Sequence, residues 1–187
     1  MNLLKQTRSG LYRTWAFGLG MLTILILSGC ASMSEQECLT ADWYDQGYRD
    51  GRRGYPVARV IDHQKACADV GVRPDIERYR AGNSQGVLEY CTPDNAFTVG
   101  RAGQSYRNAC PAHLEGKFLP AYHQGKRIYE AQRQVDNLNS ESSRLQRKLE
   151  KEKKPEVQRR LRNELRDLDR RLRYARDTLA DLDRYSR

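Results

Sequence analysis

The chain has 187 residues, of which 39% are hydrophobic, and a formal net charge of +9 at pH 7. With this apolar content, a domain of about a hundred residues has only a modest hydrophobic core that needs further support. The charge is unevenly distributed, because residues 31–126 hold 12 basic and 12 acidic residues and residues 127–187 hold 18 basic and 12 acidic. The composition therefore predicts a neutral domain at 38–126, of about the usual single-domain size, followed by a basic tail at 127–187.

Residues 1–29 have the composition of an export signal. They contain three basic residues and no acidic residue, and an apolar run extends from Trp15 to Leu27. This run is too short for a transmembrane helix, which needs about 20 apolar residues. A basic head, a short apolar segment and small residues before a cleavage site are typical of a secretory signal. A single-pass anchor is the alternative interpretation.

The last residues of this segment, Leu27-Ser28-Gly29-Cys30, resemble the lipobox of bacterial lipoproteins. The resemblance implies that Cys30 becomes the acylated N-terminus of the mature chain, with residues 30–37 as a lipidated linker. Several acyl chains together give a stable membrane anchor. In such lipoproteins an Asp after the cysteine retains the product in the inner membrane, so Ala31 implies an outer-membrane location, facing the periplasm.

Four further cysteines lie in the neutral domain and none in the tail: Cys38, Cys67, Cys91 and Cys110. An even number of cysteines in an exported chain predicts two disulfides, with three pairings open. Their spacings of 29, 24 and 19 residues suit no zinc module, so no metal site is expected. The preferred pairing joins neighbours along the chain, and each bond would then contribute about 3 kcal/mol.

An aromatic residue followed three positions later by glycine recurs in the neutral domain, beginning at Tyr44, Tyr79, Phe97 and Tyr122. Residues three apart share a helix face, so each copy predicts a ring beside bare backbone that a neighbouring helix can approach. Caps and terminating glycines predict short helices at about 41–53, 59–69, 75–90, 94–102 and from 112 onward. A β-hairpin repeat is the alternative, but alternating runs of Val, Ile and Thr are absent. We expect an all-α, disulfide-stapled bundle.

The order of motifs along this domain resembles domain-of-unknown-function family 2799, small lipoproteins of Gram-negative envelopes. The motifs are Asp42–Gly47, Tyr79–Gly82, Tyr90-Cys91, Phe97–Gly103, Ala109-Cys110 and Tyr122–Lys126. The resemblance covers roughly residues 38–130 and implies an envelope location but no activity. Since relatives can carry only the Cys91/Cys110 pair, it favours the pairing of neighbouring cysteines.

Apolar residues in the tail recur at steps of three and four, from Ile128 to Leu149 and again from Leu161 to Leu182. This spacing is typical of a coiled-coil seam. Pro155 separates the two runs and coincides with a change of register, which predicts two helices folded back as an antiparallel hairpin. A kinked continuous rod is the alternative, because residues 150–154 contain no Gly or Asn to form a turn.

Three functional hypotheses follow, and the first is a structural or adaptor lipoprotein whose coiled coil pairs with itself or with an envelope protein. The second is a glycan-binding module that stacks sugars on Trp43, Tyr44, Tyr48, Tyr79 and Tyr122. The third is a hydrolase that uses His63, His113 or His123. No catalytic motif supports the third, so we expect no enzyme and no cofactor. Export removes nucleic acid as a partner and leaves anionic lipid or cell wall for the basic tail.

Overall fold

The structure is a computed structural model that describes residues 31–185, and these residues form helices and no strand. The predicted all-α fold class is confirmed. The signal peptide at 1–29 and the lipidation site Cys30 lie outside the described residues. Within residues 31–185 there are seven α-helices: α1 (Glu35–Leu39), α2 (Trp43–Arg52), α3 (Val60–Ala66), α4 (Ile76–Tyr90), α5 (Pro93–Arg101), α6 (Ala112–Lys151) and α7 (Pro155–Arg184).

Helix α1 lies partly within the segment that the sequence assigned to a linker. Ser34 and Glu37 form a capping box, in which each side chain bonds to the backbone of the other residue. Two donors at the helix start are thereby satisfied. The signal was in the sequence as Ser-x-x-Glu, but the five-residue helix has too few apolar positions to show a helical period.

Helices α2 and α4 pack with their backbones in contact, because glycines face each other across the pair. A Cβ atom at Gly82 would lie 1.9 Å from the backbone oxygen of Tyr44, and one at Gly47 would lie 2.0 Å from that of Tyr79. No side chain fits at such distances. Each glycine costs a helix about 1 kcal/mol relative to alanine, and close packing of the two helices compensates for this cost.

Helices α5 and α6 form a second pair of the same kind. A Cβ atom at Gly100 would lie 2.1 Å from the backbone oxygen of Tyr122, and one at Gly125 would lie 2.2 Å from that of Phe97. The recurring aromatic-glycine motif therefore marks the contact line of both pairs, and the predicted close approach of neighbouring helices is confirmed.

In both pairs, the first helix is followed by a glycine with a positive φ angle. Gly54 after α2 and Gly103 after α5 have φ angles of +72° and +70°, a conformation that favours glycine. A Cβ at Gly54 would meet the ring of Tyr90, and a Cβ at Gly103 would meet the ring of Tyr129. The second pair thus repeats the geometry of the first.

Two disulfides join Cys38 to Cys67 and Cys91 to Cys110, as the preferred pairing predicted. Each bond encloses the first helix of a pair, since α2 lies between the first two cysteines and α5 between the other two. Both bonds belong to buried hydrophobic clusters, and the cluster of Cys91 and Cys110 also includes Val87 and Tyr90 of α4. The disulfides therefore add covalent support to small cores that are formed by glycine-rich helices.

Helix α6 continues from the second pair into the tail, so the predicted boundary between residues 126 and 127 falls inside one helix. Helix α7 returns along α6: the Gln158 side chain bonds to the Glu152 carbonyl near the turn, and Gln124 bonds to the Tyr185 carbonyl near the domain. Of the two predicted alternatives, the structure has the antiparallel hairpin and not the kinked rod. Its seam buries leucines of both helices, among them Leu138, Leu145, Leu161, Leu168 and Leu172.

The turn of the hairpin is built without Gly or Asn. The Glu152 carboxylate accepts hydrogen bonds of 2.9 Å from the backbone nitrogens of both Lys153 and Lys154, and Pro155 is the first residue of α7. The hydrogen bonds from these two backbone amides lower the pKa of Glu152, and the one from Lys154 has the larger effect. A carboxylate thus supplies the turn contacts that a glycine or asparagine motif would otherwise provide.

Candidate functional site: a buried aspartate–histidine network

A charged residue lies in the core where α2, α3 and α4 meet. Asp50 is 3% exposed and His63 is 0% exposed. One carboxylate oxygen, Oδ2 of Asp50, accepts from Nε2 of His63 at 2.6 Å, from the hydroxyl of Tyr79 at 2.8 Å and from Nε2 of Gln46 at 3.3 Å. Three donors converge on one acceptor, as a buried carboxylate requires.

The hydrogen bonds determine the protonation of this group. Burial raises the pKa of Asp50, but the bonds from His63 and Tyr79 outweigh burial and hold that pKa below its usual range. Burial, followed by the bond to Asp50, raises the pKa of the Tyr79 hydroxyl far above its usual value. Asp50 is therefore a carboxylate, Tyr79 is a donor, and the proton of the His63 ring that faces Asp50 lies on Nε2.

The other ring nitrogen of His63 reaches the N-terminal segment. Its Nδ1 lies 2.9 Å from Oγ of Ser32, within hydrogen-bond distance. The next residue, Met33, is buried in the hydrophobic cluster that also contains Cys67 and Tyr79. The network therefore fastens the chain to the domain two residues after Cys30.

A hydroxyl, an imidazole and a carboxylate in series have the composition of a hydrolytic triad. Here the imidazole has no exposed surface, so a substrate could not reach its nitrogens. His113 and His123 are exposed on α6 and do not take part in the network. The structure does not bring the three histidines together, and the geometry suits holding the N-terminal segment.

The five aromatic residues proposed for glycan stacking do not form one exposed row. Trp43, Tyr79 and Tyr122 are buried, whereas Tyr44 and Tyr48 reach solvent. The buried rings lie beside the glycine contacts, where the helices are too close to leave them at the surface. The prediction of a continuous stacking surface is wrong for these three residues, and their role is packing.

The network was missed because its members are distant in sequence. In the sequence His63 directly follows Asp62, whereas its partner in the structure is Asp50, 13 positions earlier. One signal was present: Asp50 lies on the same face of α2 as Trp43 and Gly47. A charged residue on a face made for close packing requires buried partners.

Within residues 31–185, no group of three or more His, Cys, Asp or Glu side chains is arranged to hold a metal ion. Over the same residues, no helix combines the length and the hydropathy needed to cross a membrane.

Residues 42–127 match the family described as "Protein of unknown function (DUF2799)", which confirms the family suggested by the motifs and leaves the envelope-lipoprotein description a prediction. The matched segment contains both glycine-packed helix pairs and Asp50, His63 and Tyr79. Ser32 and most of the hairpin lie outside it. No curated protein and no solved structure matches the chain.

Proposed function

We propose, taking the family match of residues 42–127 as the premise, that this chain is an outer-membrane lipoprotein that acts as a structural or adaptor component of the cell envelope. The lipobox-like sequence ending at Cys30 supports the anchor. Two disulfides support an oxidising compartment outside the cytoplasm, where such bonds persist. The contact of Ser32 with His63, two positions after Cys30 in the sequence, supports an anchor close to the domain.

The observation that carries the adaptor role is the projecting hairpin. Helix α6 has 40 residues, which corresponds to about 60 Å at 1.5 Å per residue. Among the described residues, the buried apolar side chains of its outer half cluster with those of α7. The leucine seam is covered by α7 of the same chain, so the arm needs no second copy to cover it. A partner would meet the polar outer faces, where Tyr174 is 74% exposed.

The anchor is tested by Cys30→Ser with Ala31→Asp as the matched control. Loss of the thiol should prevent acylation, so the precursor should accumulate and leave the outer-membrane fraction. Ala31→Asp should still be processed but should move to the inner-membrane fraction. Normal maturation and outer-membrane recovery of Cys30→Ser would overturn the lipoprotein proposal.

The adaptor role is tested by crosslinking in cells. A photoreactive phenylalanine analogue replaces Tyr174 on the hairpin or, as the control, Tyr44 on the domain, which is also exposed. We expect a defined protein adduct from position 174 and none of that mass from position 44, read by mass spectrometry. The absence of any adduct along the hairpin would reject a protein partner for this arm.

A further inference from the structure

The basic surplus of the tail is concentrated at the free end of the hairpin. Residues 144–162, which surround the turn, hold nine basic and three acidic residues, and the rest of the tail holds nine of each. Residues 31–126 add no net charge. The end of the hairpin farthest from the domain, called here the basic tip (residues 144–162), thus carries the whole surplus of the chain after residue 30.

The Lys and Arg side chains at the two ends of the hairpin differ in their ion-pair partners. Near the domain, arginines are paired with aspartates, as Arg101 is with Asp183 at 2.6 Å and Arg184 with Asp181 at 3.2 Å. At the basic tip, the only ion pair within the described residues joins Arg160 to Glu164 at 3.8 Å. The positive charge of the tip is therefore available to an external anion.

Four of the unpaired cations form a stripe along α6. Arg144, Arg147, Lys148 and Lys151 are spaced by three, one and three residues, so they share one helix face. Together with Arg160 they line an open groove of about 540 Å³, whose other lining residues are Leu145, Val157 and Leu161 and the carboxylates of Glu152 and Glu164. Five cations against two carboxylates make this groove a surface for phosphate groups.

We propose that the basic tip docks on an anionic phospholipid membrane, with lipid phosphates against the stripe on α6. The inference rests on the envelope location in the proposed function, because only there does the tip meet such a surface. Clusters of four to eight Lys and Arg on a helix are typical of anionic-lipid binding. The cations lie on both helices and on the turn between them, which suits an extended surface.

Sugar recognition is disfavoured by the composition of the arm. From residue 130 to residue 173 there is no Phe, Tyr or Trp, so no ring is available for stacking on a glycan. The described residues begin at Ala31, which lies beside α3, while the tip lies at the end of the hairpin farthest from the second pair. A chain anchored near Ala31 can thereby contact a second membrane with its tip.

Vesicle recruitment tests the proposal with the full chain. The protein is purified in detergent and reconstituted into phosphatidylcholine vesicles, which are mixed with fluorescent vesicles of phosphatidylcholine alone or with about 30% phosphatidylglycerol. The tip variant carries Gln at four positions: Arg144, Arg147, Lys148 and Lys151. The control variant has the same net charge and carries Gln at Arg127, Arg133, Arg166 and Arg171. Glutamine is a good helix former, so both should retain the hairpin, which circular dichroism verifies.

We expect the wild-type chain to bind the fluorescent vesicles that contain phosphatidylglycerol and not those of phosphatidylcholine alone. Each cation near an anionic surface raises the binding affinity about fivefold. The affinity of the tip variant for anionic vesicles should therefore fall more than tenfold, while that of the control variant should stay within about threefold of wild type. Raising the salt from about 50 mM to about 500 mM should abolish recruitment. The membrane proposal would be overturned if both variants lost vesicle binding equally, or if neutral vesicles were recruited as well as anionic ones. It would also be overturned if the tip bound purified cell wall in place of vesicles. Tyr174 adducts that persist in such a case would leave the adaptor role intact.

Discussion

Asp50 illustrates how single residues hold this small domain together. Its carboxylate lies on the closely packed face of α2 and joins α3 and α4 through His63 and Tyr79. Bonds to a charged acceptor contribute more than bonds between neutral groups. The same histidine reaches Ser32, so the core and the proposed anchor point are linked through one side chain.

We expect Asp50→Asn to lower the free energy of unfolding by about 2–3 kcal/mol at neutral pH, because the amide is a weaker acceptor for His63 and Tyr79. Urea denaturation with the disulfides intact measures this loss. Asp45→Asn is the control, since Asp45 is exposed on the same helix and should change stability by less than about 0.5 kcal/mol. Equal stabilities of the two variants would contradict a structural role for the network.

The pH dependence of this contribution follows from the lowered pKa of Asp50 in the folded state. Its stabilisation is complete above the unfolded-state pKa of about 3.9 and is lost as the pH falls through the lower folded-state value. The difference in unfolding free energy between wild type and Asp50→Asn should therefore be constant near neutrality and shrink as the pH falls from about 3.9 through the lower folded-state pKa of Asp50. A difference that stays constant into acid would show that Asp50 does not titrate as proposed.

Glycine has a different role, because at the helix contacts the absence of a side chain is what matters. Gly82→Ala places a Cβ atom 1.9 Å from the Tyr44 oxygen and should cost about 3 kcal/mol or more, since backbone cannot move aside as a side chain can. Gly116→Ala is the matched control, because nothing lies within 4 Å of that position. It should raise stability by up to about 1 kcal/mol. Thermal unfolding compares the two variants, and similar shifts would refute the packing argument.

At the scale of elements, the hairpin depends on its seam while the helix pairs depend on backbone contact and disulfides. The seam residues form a hydrophobic cluster separate from those of the domain. Elements with separate cores open separately. The arm and the domain should thus respond independently to mutation.

Leu168→Ala tests this independence, because Leu168 is buried in the seam. Removing its side chain should cost about 2–5 kcal/mol locally. Amide hydrogen exchange should accelerate in α7 and in the outer half of α6, and α2 and α4 should keep their protection. Tyr174→Ala, at an exposed position of the same helix, should leave exchange unchanged. Faster exchange throughout the domain would contradict separate cores.

At the scale of the whole molecule, the chain is arranged in series: the N-terminal segment on the first helix pair, then the second pair, then the hairpin with its basic tip. Because the seam is covered within the chain, we expect the protein to sediment as a monomer at micromolar concentration in detergent. Analytical ultracentrifugation measures this mass. A stable dimer that is lost in Leu168→Ala would show that the seam pairs between copies.

The sequence by itself determined the local elements and the disulfides. Thr92 and Pro93 mark the start of α5, and Pro155 marks the start of α7, because caps and prolines act on neighbouring residues through backbone geometry. The recurring aromatic-glycine spacing predicted close helix approach, since one helix turn places these residues on one face. The even number of cysteines predicted two disulfides and left three pairings open, of which the structure has the preferred one, which the family resemblance also favoured.

Only the tertiary structure decided which elements meet. The contact of His63 with Asp50, the burial of Trp43, Tyr79 and Tyr122, and the choice of a hairpin over a rod depend on residues far apart in sequence, so no local pattern specifies them. The turn at Glu152 depends on a side chain bonding to its own neighbouring amides, which composition does not reveal. Folding of α7 onto α6 also turned two separate basic runs into one tip, because only the hairpin brings residues 144–151 beside residues 159–162.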